Sequence, residues 1–215
     1  MTPNYPLRKL AIITGLSYLV IFFTAIFANF GVLEALKQHP LRTVQQDPLW
    51  IGAGIVAFLI TVVFDVVIAW ALQALFQKHW LSGLSTLLRM MHAAIMGVAI
   101  FALPLVRQAT TAQQILHQVE IFNTIWLIGL FFFGLHLILL GQILKGPLWI
   151  ALLLKLAGLM YMLDTVAHFV LPDYNAYATL FLTLVALPSM VGEMSLALWL
   201  LRKGGKHSPA TALAI

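Results

Sequence analysis

The stretch from Leu49 to Phe76, LWIGAGIVAFLITVVFDVVIAWALQALF, contains 28 residues and one charged side chain, Asp65. About 20 apolar residues in a helix cross the roughly 30 Å hydrocarbon core of a bilayer, because each residue rises about 1.5 Å. Backbone groups in lipid must find hydrogen-bond partners within their own segment, so the segment must be helical. This stretch therefore predicts a transmembrane helix with a carboxyl group near its middle.

Five further apolar runs of similar length flank this stretch on both sides. The whole chain is 62% hydrophobic and only 9% charged, with a mean hydropathy of +0.98, whereas soluble domains are about 45 to 50% apolar and about 25% charged. A water-soluble fold is excluded. We predict an all-α, polytopic transmembrane bundle that forms one domain over residues 1–215, with a short mobile tail at 204–215. The six predicted helices cover approximately residues 10–30, 49–76, 81–106, 121–144, 148–171 and 177–201.

The connections between these helices carry most of the basic residues. If the N-terminus is cytoplasmic, seven Lys and Arg residues lie on the cytoplasmic side and three lie outside. Short cytoplasmic loops of membrane proteins usually carry such an excess of basic residues. We therefore expect both termini in the cytoplasm and a multi-pass protein of the cell's inner (cytoplasmic) membrane. The net charge of +5 is explained by orientation, and no nucleic-acid partner is predicted.

Two connections are long enough to need an interpretation. Gly31 to Pro48 begins with an amphipathic VLEALK segment, and we expect a plain connector there, with a short helix on the membrane surface as the alternative. Gln108 to Glu120 is mostly polar and is predicted to be a loop. The chain has no cysteine, so disulfides, thiolate nucleophiles, iron–sulfur clusters and cysteine-bound zinc are excluded.

Polar side chains recur at one depth in all six predicted helices. Each lies about 7 to 11 residues from the cytoplasmic end of its helix, which at about 1.5 Å per residue is roughly 10 to 17 Å deep. A charge at mid-membrane costs at least about 2.5 to 3.5 kcal/mol. These side chains should therefore face one another or a wet cavity. They are Tyr18, Asp65, Arg89, His92, His136, Lys155 and Glu193.

Helical spacing supports an interior site. Ser85, Arg89, His92 and Met96 share one face of the third predicted helix. Ser189 and Glu193 share a face of the sixth, one turn after Pro188. Asp164, His168 and Tyr161 form a second group nearer the outer surface.

Each of these features also has a purely structural explanation. Arg89 could form an ion pair with Asp65 or Glu193 that only holds the helices in register. Lys155 could extend its amine to the cytoplasmic surface without a partner. His92 and His136 could be ordinary core histidines, and Tyr18 could simply pack.

Several stretches resemble the DUF4386 family of mainly bacterial membrane proteins. They are FFGLHLILLG at 132–141, AGLMYMLD at 157–164, LPSMVGE at 187–193, RKLAIITGLSYL at 8–19 and the segment around Asp65. The resemblance covers nearly the whole chain and implies a six-helix integral membrane protein. It implies no catalytic assignment, and it makes Asp65, Arg89, His136, Asp164 and Glu193 the first positions to examine.

Three classes of function remain open at this point. The first is binding or transport of a small polar or anionic molecule or a lipid head group, or proton relay. The second is an intramembrane lipid-modifying enzyme that uses a metal or acid–base chemistry, and the third is a structural or accessory role. The candidate ligand-binding or proton-relay residues are Tyr18, Asp65, Arg89, His92, His136, Asp164 and Glu193.

No cofactor is predicted, although a metal site and a haem site are both conceivable. A metal would be held by His92, His136, Asp65 and Glu193, a set that suits zinc or iron in ligand type. No single helix carries a closely spaced pair of these ligands, and the adjoining Arg89 would repel a cation. Haem between His92 and His136 is a further alternative. The expected partners are the bilayer and, as a candidate, a small-molecule or lipid ligand, and the sequence does not determine the oligomeric state.

Overall fold

The structure is a computed structural model that describes residues 6–206, and all regular structure in these residues is helical. Six helical segments of this range are long and apolar enough to cross a membrane, which confirms the predicted all-α bundle. The elements are α1 (Leu7–Ile26), a π-helical segment (Phe27–Leu33), α2 (Glu34–Gln38), α3 (Pro40–Gln46), α4 (Pro48–Leu75), α5 (Ser82–Ile100), α6 (Ala102–Leu105), a 3-10 turn (Val106–Gln108), α7 (Ala112–Ile143), α8 (Leu148–Val170) and α9 (Tyr174–Arg202).

The six long helices form a ring. Each of α1, α4, α5, α7, α8 and α9 packs on the next one along the chain, and α9 returns to pack on α1. Helices α7 and α8 run antiparallel, because Gly134 meets Gly158 while Gly141 meets Ala151. We call the end of the bundle that holds Leu7 and Arg202 the terminal face, and the other end the opposite face.

Arg8 closes the ring at the terminal face. Its guanidinium donates hydrogen bonds of 2.9 Å to the carbonyl oxygens of Leu200 and Gly204, and another to that of Leu201. The last carbonyls of a helix have no intrahelical partner and carry the negative end of the helix dipole. One cation thus caps the last helix and joins it to the first.

Two apolar cores fill the two halves of the bundle differently. The core of the terminal half draws on α1, α4, α7, α8 and α9, and includes Leu137, Leu154 and Leu196. The core of the opposite half draws on the π-helical segment, the 3-10 turn, α2, α4, α5, α6 and α7, and it includes Phe58 and Phe122 but nothing from α8 or α9. Residues 174–184 of α9 contain no buried side chain. The first half of α9 therefore stands away from the core.

Two expectations about the connections were wrong. Gly31 to Pro48 is not a plain connector, because the π-helical segment and α2 continue α1 with Leu33 and Leu36 buried in the core. The short helix of this segment is α3, and of its residues only Thr43 is buried. Helix α7 begins at Ala112 instead of Ile121, since Thr111 and Gln114 form a capping box at its start. Of the expected mobile tail, residues 207–215 lie outside the described residues.

Candidate functional site

Arg89 lies at the centre of the ring and is the largest fully buried side chain among the described residues, with 1% of its surface exposed. Its Nη2 donates to Asp65 Oδ1 at 2.5 Å. Its Nη1 donates to the Tyr18 hydroxyl at 3.0 Å and contacts His136 Nε2 at 3.2 Å. The Tyr18 and Phe133 rings lie 5.1 Å from the guanidinium carbon. Four helices thus meet around one cation.

The contacts of His136 determine its tautomer. An arginine has only donors, so Nε2 must accept from Arg89. The proton then lies on Nδ1, which donates to the Ser85 carbonyl oxygen at 2.9 Å and lies 2.9 Å from the Ser85 hydroxyl. His136 is therefore a neutral acceptor for Arg89 that is oriented by the backbone of α5.

His92 lies beside the ion pair and is less completely satisfied. Its Nε2 is 3.7 Å from Asp65 Oδ2. Its Nδ1 is buried and has no hydrogen-bond partner within residues 6–206, and its ring packs against Gly129 and the Phe133 ring, whose centroid is 4.8 Å away. The absence of a Cβ at Gly129 leaves room for the imidazole on the surface of α7.

The side chains do not fit the metal or haem alternatives. Asp65 and His136 both contact Arg89, so a cation already occupies the centre of the proposed ligand set. Both nitrogen atoms of His136 are engaged, and the Phe133 ring packs against both imidazoles. Within residues 6–206 no group of three or more His, Asp or Glu side chains could hold a metal ion.

A cavity of about 530 Å³ begins at this layer and extends towards the opposite face. Its volume lies within the range of about 300 to 1,000 Å³ that is usual for small-molecule sites. Tyr18, Asp65, Arg89 and His92 line its deep end, while Glu34 and Lys37 lie at its rim. His136 does not line the cavity, because it contacts Arg89 and Ser85 instead. The cavity occupies the space left where α9 stands away from the core.

Glu193 also lines the cavity, but it pairs with nothing. It is half-buried, and it makes no hydrogen bond and no ion pair within 4.0 Å in the described part of the chain. Asp65, and not Glu193, is therefore the partner of Arg89. Lys155 does not line the cavity, and its aliphatic chain lies along α7 at Gly141.

The outer group is organised by a residue outside the predicted set. Tyr174, at the start of α9, donates to Asp164 Oδ1 at 2.7 Å, and its ring lies 4.6 Å from the His168 ring. Asp164 and His168 form no ion pair with each other among the described residues. Asp164 and Tyr161 both line the cavity. The outer group therefore belongs to the same space as the central layer.

Comparison with known proteins gives the chain a family. The model of a domain of unknown function, DUF4386, matches residues 13–204. The chain belongs to the DUF4386 family. An archaeal relative from Archaeoglobus fulgidus, described only as an uncharacterized protein, is 30% identical over 161 residues, which are 72% of this chain and 86% of the relative. No solved structure matches the chain.

Two contributors to the site in this DUF4386 protein are absent from the sequence prediction. Phe133 lies one turn before His136 on α7 and packs on Arg89, His92 and Tyr161. Its spacing from His136 was a usable indication that it shares the same face. Tyr174 follows a turn at Pro172, and no local pattern marks it as the partner of Asp164.

Proposed function

We propose that this protein binds an amphiphilic molecule within the bilayer. The polar layer would hold the head group, and the hydrocarbon chain would leave the cavity between α1 and α9. The observation that carries this proposal is that several residues both line the cavity and lie on the outside of the bundle. Phe30 is 70% exposed and Leu182 is 59% exposed, and both line the cavity. A polar site with an apolar side opening fits a molecule that is itself polar at one end.

The two ends of the cavity argue for binding in preference to a continuous channel. Towards the opposite face the cavity reaches Glu34 and Lys37. Towards the terminal face the apolar core around Leu137, Leu154 and Leu196 closes the ring. Each of these three leucines is fully buried. A ligand would therefore enter from the bilayer or the opposite face and stop at the polar layer.

The π-helical segment supports the same assignment. A single turn of π-helix is uncommon and is frequently found at functional sites. This one, Phe27–Leu33, places Asn29, Phe30 and Leu33 along the cavity. It widens α1 at the level where α9 stands away from the core.

Filling the cavity should abolish binding. Ala186 lines the cavity on α9, so Ala186→Trp would occupy part of its volume. The matched control is Ala94→Trp on α5, where the side chain is exposed and does not line the cavity. We expect native mass spectrometry in a non-ionic detergent to show one bound dodecylamine or dodecyl phosphate on the wild type and on Ala94→Trp, and a loss of at least tenfold in occupancy on Ala186→Trp. Equal occupancy in all three proteins would mean that the cavity is not the binding site.

We also propose that the protein lies in the cytoplasmic (inner) membrane with its terminal face towards the cytoplasm. The excess of basic residues at that face supports this orientation. Because the chain contains no cysteine, single cysteines report sidedness without background. On intact cells a membrane-impermeant maleimide should label Gln113→Cys and should label Lys203→Cys only after lysis. The reverse pattern would overturn the orientation.

A further inference from the structure

Below its rim, the cavity contains more acid than base. Among the described residues that line it, Asp65, Asp164 and Glu193 carry carboxyl groups, and Arg89 is the one side chain with a permanent positive charge. At the rim, Glu34 and Lys37 balance each other in formal charge. Unless a carboxyl group is neutralised, the cavity has a net negative charge. Such a cavity repels an anion before any contact is made.

The hydrogen bonds that these side chains already make increase the preference of the cavity for a cation. Arg89 already binds Asp65, Tyr18 and His136 through its two terminal nitrogens, and its remaining nitrogen, Nε, is buried without a hydrogen-bond partner among the described residues. Asp164 accepts from Tyr174, whereas Glu193 has no hydrogen-bond partner among the described residues. Below the rim, an incoming anion therefore finds Arg89 already paired with Asp65, while an incoming cation finds at Glu193 a carboxyl group without an ion pair among the described residues.

Aromatic rings also line the cavity into which Glu193 faces. Tyr161, Phe22 and Trp126 line the same cavity. The faces of such rings attract alkylammonium groups. A carboxyl group in an aromatic cavity is an arrangement suited to an amine, and the hydrogen-bond donors of a protonated amine would also satisfy the oxygens of Glu193.

We infer that the ligand is an amphiphile with a positively charged amino head group, which binds Glu193 while its hydrocarbon chain leaves between α1 and α9. This inference rests on the proposed function and narrows it, because it replaces a polar or anionic head group by a cationic one. Arg89 and Asp65 then form the fixed floor of the site, and Glu193 is the residue that selects the charge of the ligand.

The test compares two probes of equal chain length and opposite charge. Dodecylamine and dodecyl phosphate are titrated separately against the wild type, Glu193→Gln and the control Glu120→Gln, and bound molecules are counted by native mass spectrometry. Glu120 is exposed and lies outside the cavity, so its substitution makes the same charge change elsewhere. Glu193→Gln preserves shape and removes no existing contact, and circular dichroism of each variant checks the fold.

We expect the wild type and Glu120→Gln to bind dodecylamine at least tenfold more tightly than dodecyl phosphate, and Glu193→Gln to lose that preference. If the wild type binds dodecyl phosphate as tightly as dodecylamine or more tightly, and Ala186→Trp still blocks this binding, the cationic ligand is overturned and the proposed function is not. If neither probe binds the wild type at a site that Ala186→Trp blocks, both the cationic ligand and the proposed function are overturned. Butylamine has the same charge without the long chain, and displacement of dodecylamine by an equal concentration of butylamine would overturn the amphiphilic character of the ligand.

Discussion

Replacing Arg89 by methionine is expected to lower the free energy of unfolding by about 3 to 5 kcal/mol, the usual cost of removing one partner of a buried ion pair. The substitution leaves the Asp65 carboxylate without its 2.5 Å contact inside the ring. It also removes the donor to the Tyr18 hydroxyl and to His136 Nε2. The measurement is reversible unfolding in detergent, followed by the loss of helical circular dichroism.

The double variant Arg89→Met with Asp65→Leu should recover most of that loss, because no charge is then stranded. A double-mutant cycle with the two single variants isolates the interaction between the side chains. Arg107→Met is the matched control, since Arg107 is exposed and makes one hydrogen bond to the Pro48 carbonyl oxygen at 2.8 Å. It should cost less than about 1 kcal/mol, as exposed charges usually do. An Arg89→Met protein as stable as the Arg107→Met protein would show that the central pair contributes nothing to the fold.

Adding a single methyl group at Gly158 should be comparably damaging. A Cβ atom there would overlap the carbonyl oxygen of Gly134 and would lie 2.9 Å from Ile138 Cγ1. Overpacking usually costs about 1 to 3 kcal/mol, and we expect Gly158→Ala to reach or exceed the upper end. The reason is that the obstacle at Gly134 is backbone, so no change of rotamer removes the overlap. Thermal unfolding in detergent measures the effect.

Gly97→Ala is the control for this prediction. A Cβ atom at Gly97 would meet nothing within 4 Å, and alanine is a better helix former than glycine by about 1 kcal/mol. Gly97→Ala should therefore be as stable as the wild type or slightly more stable. If Gly158→Ala behaves in the same way, α7 and α8 do not pack as closely as described.

Hydropathy was enough to predict the six spans, because a bilayer imposes one length on every helix. Short connections then fix which end of each helix lies at which face, so counting residues from one face placed Asp65 and Arg89 at the same level. That count could not choose between Asp65 and Glu193 as the partner of Arg89. The choice depends on which neighbour each helix has in the ring and how it is rotated, and neither quantity leaves a local pattern in the sequence.

The cavity was beyond the reach of sequence patterns for a related reason. Residues 174–184 of α9 are as apolar as a buried helix would be, and in a membrane protein apolar side chains face lipid and core alike. Hydrophobicity therefore does not reveal that this half of α9 stands away from the core. The start of α7 was different, because Thr111 and Gln114 have the spacing of a capping box, and a search for caps would have found it.

The contact between Arg8 and the end of α9 also bears on how the protein is made. Its acceptors, Leu200, Leu201 and Gly204, are synthesised after the other five membrane-crossing helices, whereas Arg8 lies at the start of the first of them. Until the final helix has entered the membrane, the nascent protein is an arc of five helices in which Asp65 and Arg89 have already been synthesised. A polypeptide truncated before α9 would lack both the hydrogen bonds of Arg8 to the end of α9 and one wall of the cavity. The ring can therefore close at Arg8 only after the sixth membrane-crossing helix has packed against the first.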